Sequence, residues 1–269
     1  MMQTTILSAE MWWGFLRPKL KPNLLYRPTQ KVRKKSHQKY PFFDILHLML
    51  RGRIIFLLVW LLLLLPGPIT ALRISPIASI SSNQILLVNF YQRAVALVAF
   101  SMLFVQLILG AFMTRFTQKL GGWALKFHLL QGATIYSLVF LHPLLFVLMN
   151  FKAKGVIDPF YVFTEVCVLC SNRQEFWYTL GRLSFWLITL AVAAAKLRNQ
   201  PWWRVHWRKF HVLNYFTFFL IATHAWFSGT DVWEPPFVYL YWISVAGVFL
   251  TVIYKLYPVI KGYLRAKSS

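Results

Sequence analysis

Acidic residues are scarce in this chain: seven Asp and Glu stand against 29 Lys and Arg, a formal net charge of +22. Charge of either sign makes up only 13% of the 269 residues, while 58% are hydrophobic and 18% aromatic, which excludes an ordinary soluble domain. There are two cysteines, Cys167 and Cys170, so a zinc site built from two C-x-x-C pairs is excluded. No G-x-G-x-x-G occurs, and no dinucleotide-binding unit is expected. A cleaved secretory signal is not expected either, because the first apolar run begins near Ile54, behind a long basic leader.

What the chain has is long apolar runs, at about 53–72, 90–112, 125–150, 176–197, 209–228 and 236–257. Each is close to the roughly 20 residues that cross a bilayer as a helix. The expected fold is therefore all-α, an integral bundle of six transmembrane helices. Trp123, Trp177, Tyr178, Trp202, Trp203, Trp226, Trp233 and Tyr257 cluster near the span ends, as interfacial anchors do. Eleven basic residues lie in 1–53, and Arg115, Lys119, Lys126, Lys196, Arg198, Arg204, Arg208 and Lys209 fall in alternate connections. Asp158, Glu165, Glu175, Asp231 and Glu234 fall in the others. By the positive-inside rule both termini are cytoplasmic and the loops 73–89, 151–175 and 229–235 face out. The expected organisation is a basic cytoplasmic extension over 1–50, a membrane domain over 51–260 and a short tail over 261–269. The extension, "RPKLKPNLLYRPTQKVRKKSHQK" preceded by "MWWGFL", is expected to be disordered or to lie on anionic lipid, and not to bind nucleic acid.

Four histidines sit in apolar runs, His128 and His142 in the third and His211 and His224 in the fifth. Polar side chains at such positions are expensive and usually functional. Both runs cross in the same direction, so His128 and His211 belong near the inner face, His142 and His224 near the outer. The 14-residue spacing in the third run rises about 21 Å and closes within roughly 40° of four full turns, so its histidines share a face. The 13-residue spacing in the fifth leaves its pair roughly 140° apart on an ideal helix, which predicts a local adjustment or a histidine at a helix end. Two parallel helices thus offer two imidazole pairs at matched depths. Such pairs suit an iron held in a flat macrocycle, whereas zinc needs ligands converging on one point. No Asp or Glu within the runs offers a proton relay. Histidines hydrogen-bonded to neighbouring helices are the plain alternative.

H-x13-H in the third helix and H-x12-H in the fifth of six resembles the ferric-reductase-like transmembrane domain, found in ferric reductases, NADPH oxidases and the haem-binding membrane subunit of the methionine sulfoxide reductase system. The resemblance covers about 50–260. It implies two b-type haems, the inner between His128 and His211 and the outer between His142 and His224, held without covalent links since no C-x-x-C-H occurs. It implies electrons passing from a cytoplasmic donor to an external acceptor, with Phe218 as candidate aromatic between the haems. Lys126, Arg208 and Lys209 inside, and Arg173 and Arg182 outside, are candidate propionate partners, and Gly132 a site of close macrocycle approach or of helix packing. The larger members carry a flavin and nicotinamide domain; here the expected donor is a separate flavoprotein, a flavin at the cytoplasmic surface, or a quinol.

Cys167 and Cys170, in an outer loop, read as a redox dithiol, a structural disulfide or half of a metal site. His206 reads as interfacial, and His37 and His47 carry no assignment. Three functions remain open: a dihaem electron-transfer subunit in the inner or plasma membrane, a quinol-linked cytochrome b of a respiratory complex, and a transporter or scaffold with structural histidines.

Overall fold

The computed structural model describes residues 42–267. The basic extension up to position 41 and the last two residues of the tail lie outside the described residues. Within them every regular element is helical, and five helices are long and apolar enough to cross a membrane.

The first crossing, Met49–Ile74, is built from α1 (Phe42–Leu64) and α2 (Pro66–Ile74). The leucine-rich run favours a helix, but Pro66 and Pro68 have no N–H to give, so the helical hydrogen-bond ladder is interrupted there while Leu65 keeps helical dihedrals. Gly67 faces α4 so closely that a Cβ would stand 2.9 Å from Leu97 Cβ; the missing side chain is what lets the two backbones meet. After the short α3 (Ile77–Ser82), α4 (Gln84–Ala111) starts at Asn83, whose side chain accepts from the N–H of Ile85 at 2.8 Å and caps the helix.

α4 is the most buried of the five crossings and the axis of the bundle. Phe100 carries much of that packing, with ring centroids 5.3 Å from Phe218, 5.9 Å from Phe237 and 5.5 Å from Tyr241. Around it lie Leu97, Leu103, Leu107, Ala222, Leu240 and Val248, all buried. The outward faces remain apolar, with Leu62, Leu130 and Leu250 each more than 60% exposed, as lipid-facing surface requires.

A short amphipathic α5 (Met113–Leu120) leads to α6 (Trp123–Lys154), the longest helix, which runs unbroken through Pro143. The connection after α6 holds α7 (Tyr161–Thr164) and the Cys167–Cys170 disulfide. α8 (Arg173–Lys196) follows, capped by Asn172 accepting from the N–H of Gln174 at 2.9 Å.

The expected fifth span, 209–228, is not one helix. It divides at Leu213 between α9 (Pro201–Val212) and α10 (Asn214–Ser228), and the 15 residues of α10 are too few to qualify alone as a crossing. Leu213 itself stays near helical dihedrals (φ −57°, ψ −21°), and its carbonyl accepts from the N–H of Thr217 at 3.0 Å, so only a one-residue break separates the two helices. The last helix, α11 (Phe237–Lys267), continues through the expected tail boundary at 261.

Candidate functional site: two histidine pairs between helix pairs

The bundle is organised as two closely packed helix pairs, α4 with α6 and α8 with α10. Each pair contributes histidines to the space between. On α6, His128 and His142 are joined by continuous helix and so share a face. On the other side, His211 lies in the last turn of α9 and His224 on α10, with the break at Leu213 between them.

The inner rings come together. His128 and His211 have centroids 6.2 Å apart, their planes crossing at 72°. Metal–imidazole bonds of about 2 Å on either side of one ion would leave the ring centres roughly 6 Å apart. His142 on α6 and His224 on α10 are the other two.

The rings differ in how they are held. Nδ1 of His142 donates to the Gln92 carbonyl on α4 at 3.0 Å, and Nδ1 of His224 donates to the Trp177 carbonyl on α8 at 2.8 Å. A carbonyl only accepts, so each Nδ1 carries the hydrogen and each Nε2 keeps a lone pair. That is how a protein orients a metal-binding imidazole. His224 also lies flat on Gly181 of α8: a Cβ there would stand 2.8 Å from its Cε1 and 3.0 Å from both ring nitrogens. Nδ1 of His128 and of His211 are buried and have no hydrogen-bond partner among the described residues. The polar neighbour of His128 is Gln106, whose Nε2 lies 3.4 Å from His128 Nε2 and donates to the His128 carbonyl at 2.9 Å. Gln131 in turn donates to Gln106 Oε1 at 3.2 Å and to the Met102 carbonyl at 3.0 Å.

No family model, curated protein or solved structure matches this chain. The chemistry must therefore be judged from the residues alone. Among the described residues no three His, Cys, Asp or Glu converge on a point where a bare metal ion would sit. A metal already ringed by a macrocycle needs only two protein ligands, one on each side. Imidazoles with centroids 6.2 Å apart, orphaned buried ring nitrogens on His128 and His211, and Nε2 lone pairs on His142 and His224 fit that requirement.

The remaining sequence candidates fall as follows. Phe218 is fully buried against Phe100 and touches Phe219. Six residues separate it from His224, a rotation of about 120° on the helix, which points it toward the α4 core. Gly132 packs on Gln106, where a Cβ would stand 2.8 Å from Nε2, in keeping with the helix-packing reading. Arg182 is buried and committed: it contacts Glu175 Oε2 at 3.4 Å and lies over the Tyr161 ring at 4.5 Å, within electrostatic reach of His224. Tyr161 donates to Glu175 Oε1 at 2.5 Å; burial first, then this bond, pushes its phenol above the usual range. Arg173 opens α8, Lys126 is exposed in the first turn of α6, and Arg208 and Lys209 belong to the last turns of α9, Arg208 over the Trp207 ring at 5.6 Å. Cys167 and Cys170 form a disulfide with Cα atoms 5.7 Å apart, which selects the oxidised reading of that pair over the metal one. His206 donates from Nδ1 to the Trp202 carbonyl at 2.9 Å and stacks on its ring.

Sequence reasoning missed Gln106 and Gln131, whose signal was available: amides inside apolar runs need partners. It also missed Gln92 and Trp177, which act through backbone carbonyls and leave no signal in side-chain chemistry. The buried pair Arg93–Asp231, 2.6 Å apart and reinforced by a hydrogen bond from Arg93 to Ser75, joins α4 to the α10–α11 connection. It too escaped notice, because its partners are 138 positions apart.

Proposed function

We propose that this chain is a membrane electron-transfer subunit holding two b-type haems, as its resemblance to the ferric-reductase-like domain implies. His128 and His211 would hold the haem nearer the cytoplasm, His142 and His224 the haem nearer the outside. The observation that supports the reading is the approach of His128 and His211, whose ring centroids are 6.2 Å apart, beside two further histidines, His142 and His224, that each donate from Nδ1 and keep an Nε2 lone pair. Each bound haem supplies a one-electron Fe(III)/Fe(II) couple.

The protein's own contribution is to orient and to exclude. The Gln92 and Trp177 carbonyls fix the outer imidazoles in the tautomer that presents Nε2. The packed face of α4 keeps water from the inner side of the bundle. In this reading α9 and α10 act together as the fifth of six crossings: 28 residues, Pro201–Ser228, rise about 42 Å, enough for a hydrocarbon core of about 30 Å. Both termini are then cytoplasmic, in an inner or plasma membrane, by the distribution of basic residues. Electrons enter from a flavin or flavoprotein at the cytoplasmic face, where Lys126, Arg204, Arg208 and Lys209 would favour an anionic donor, and leave to an external acceptor.

The test is a reduced-minus-oxidised absorption spectrum of the purified full chain, with haem counted per polypeptide. Two b-type haems, falling to one in His142→Ala, support the reading. One haem in the wild type breaks the paired arrangement, and a colourless protein expressed with haem supplied leaves four structural histidines.

A further inference from the structure

The Cys167–Cys170 disulfide is not an isolated staple on a loop. The backbone of Cys167 is held by a side chain of α8: its N–H donates to Thr179 Oγ1 at 3.0 Å, while the single hydroxyl hydrogen of Thr179 lies between the Glu175 carbonyl at 3.0 Å and the Cys167 carbonyl at 3.2 Å. Thr179 stands midway between the two residues that grip the outer imidazole, Trp177 through its carbonyl and Gly181 through its bare Cα. Two residues are about 200° of rotation, so the disulfide loop and His224 hold opposite faces of the same two turns of α8. The width of one helix, about 10–12 Å, separates them. Arg182 strengthens the link, reaching Glu175 and Tyr161 on the loop side while lying within electrostatic reach of His224. Both cysteines are half-buried, and the residues beside them are exposed. Leu169, between the two cysteines, is 98% exposed, and Val166 and Val168 are about two-thirds exposed.

We propose that this disulfide is the exit of the electron path, the first acceptor on the outer side. The inference rests on the haem reading above and adds to it the chemical class of the acceptor. The Sγ–Sγ bond takes two electrons and two protons and becomes the thiols of Cys167 and Cys170. The electrons would be supplied one at a time by the haem that His142 and His224 would hold, since such a group offers a one-electron couple. The protons come from external water. The resulting dithiol passes its reducing equivalents to the disulfide of an external protein by thiolate attack through a mixed disulfide, which re-forms Cys167–Cys170.

The experiment is an anaerobic reductive titration of the haem-loaded full chain with dithionite, followed by maleimide labelling and intact-mass measurement. The wild type is expected to consume two electron equivalents more than the Cys167→Ser/Cys170→Ser variant, and to gain two maleimide adducts as its haem bands reduce. His142→Ala, lacking the outer haem, is expected to keep the disulfide intact under the same exposure. An intact disulfide in fully haem-reduced wild type overturns the proposal and leaves the haem reading standing. So does equal labelling of wild type and His142→Ala, which would mean that dithionite attacks the sulfur directly. Should His142→Ala not fold, wild-type chain stripped of haem serves as the second control, and labelling there has the same meaning. A wild type that binds no haem fails at the earlier step, and the haem count reports this separately.

Discussion

Replacing Gly181 by Ala probes the outer histidine without touching it. The added Cβ would stand 2.8 Å from His224 Cε1 and 3.0 Å from Nδ1 and Nε2, where carbon atoms in contact normally keep about 3.5–4.0 Å. The ring must therefore retreat by roughly 0.5–1 Å, because the helix backbone on the other side cannot. That retreat stretches the 2.8 Å bond from Nδ1 to the Trp177 carbonyl to the edge of useful hydrogen-bond geometry or past it. Losing the bond costs about 0.5–1.5 kcal/mol, and the overpacking about 1–3 kcal/mol. Loss of an orienting partner of a metal-binding imidazole typically weakens the metal about 10–100-fold. Gly181→Ala should thus release its outer haem to a haem-scavenging apoprotein 10–100-fold faster, by the same principle, with inner haem retention unchanged. Its melting temperature in detergent should also fall. Wild-type melting together with wild-type release of both haems would refute the reasoning, since it would mean that His224 is not clamped between Gly181 and Trp177.

Three further outcomes follow from other contacts. Arg93→Ala or Asp231→Ala alone should destabilise the protein by about 3–5 kcal/mol, because each leaves its partner's charge buried at 3% or 16% exposure, and replacing both should cost less than the two single losses summed; thermal unfolding of the three variants checks this. Gln106→Ala should alter the redox midpoint and spectrum of the inner haem alone, since Gln106 touches His128 and no contact links it to His142 or His224; a spectroelectrochemical titration resolves the two. Phe218→Ala should lower stability by about 3–5 kcal/mol by emptying a fully buried site beside Phe100, whereas Phe218→Leu should largely spare both stability and the rate of transfer between the haems. A slow Phe218→Leu of normal stability, measured by flash-photolysis relaxation, would restore Phe218 to the electron path.

The helical class and the lipid-facing character were legible in the sequence because they depend on local properties. A run of about 20 apolar residues must satisfy its backbone within itself, and in hydrocarbon that means a helix. The shared face of His128 and His142 followed from the same arithmetic, since α6 is regular and angles along a regular helix can be computed. Even the trouble in the fifth run was visible as a phase mismatch between His211 and His224, although neither its place at Leu213 nor the shortness of α10 was. Nothing about Leu213 as a residue type breaks a helix.

What only the tertiary structure decided is which surfaces meet. Phe218 sits at the midpoint between two histidines in sequence, yet its ring goes to Phe100, because the rotation of α10 is set by its packing on α4, α8 and α11. The tautomers of His142 and His224 depend on the Gln92 and Trp177 carbonyls, groups that every residue carries and that become specific only when a neighbouring helix brings them near. The Cys167–Cys170 pair could be seen in the sequence, but its seat on Thr179, across one helix from His224, could not. Spacing along one helix is written in the chain by its 1.5 Å rise and 100° turn, whereas contact between helices is a balance of many weak interactions among residues far apart in sequence, and only the folded bundle strikes it.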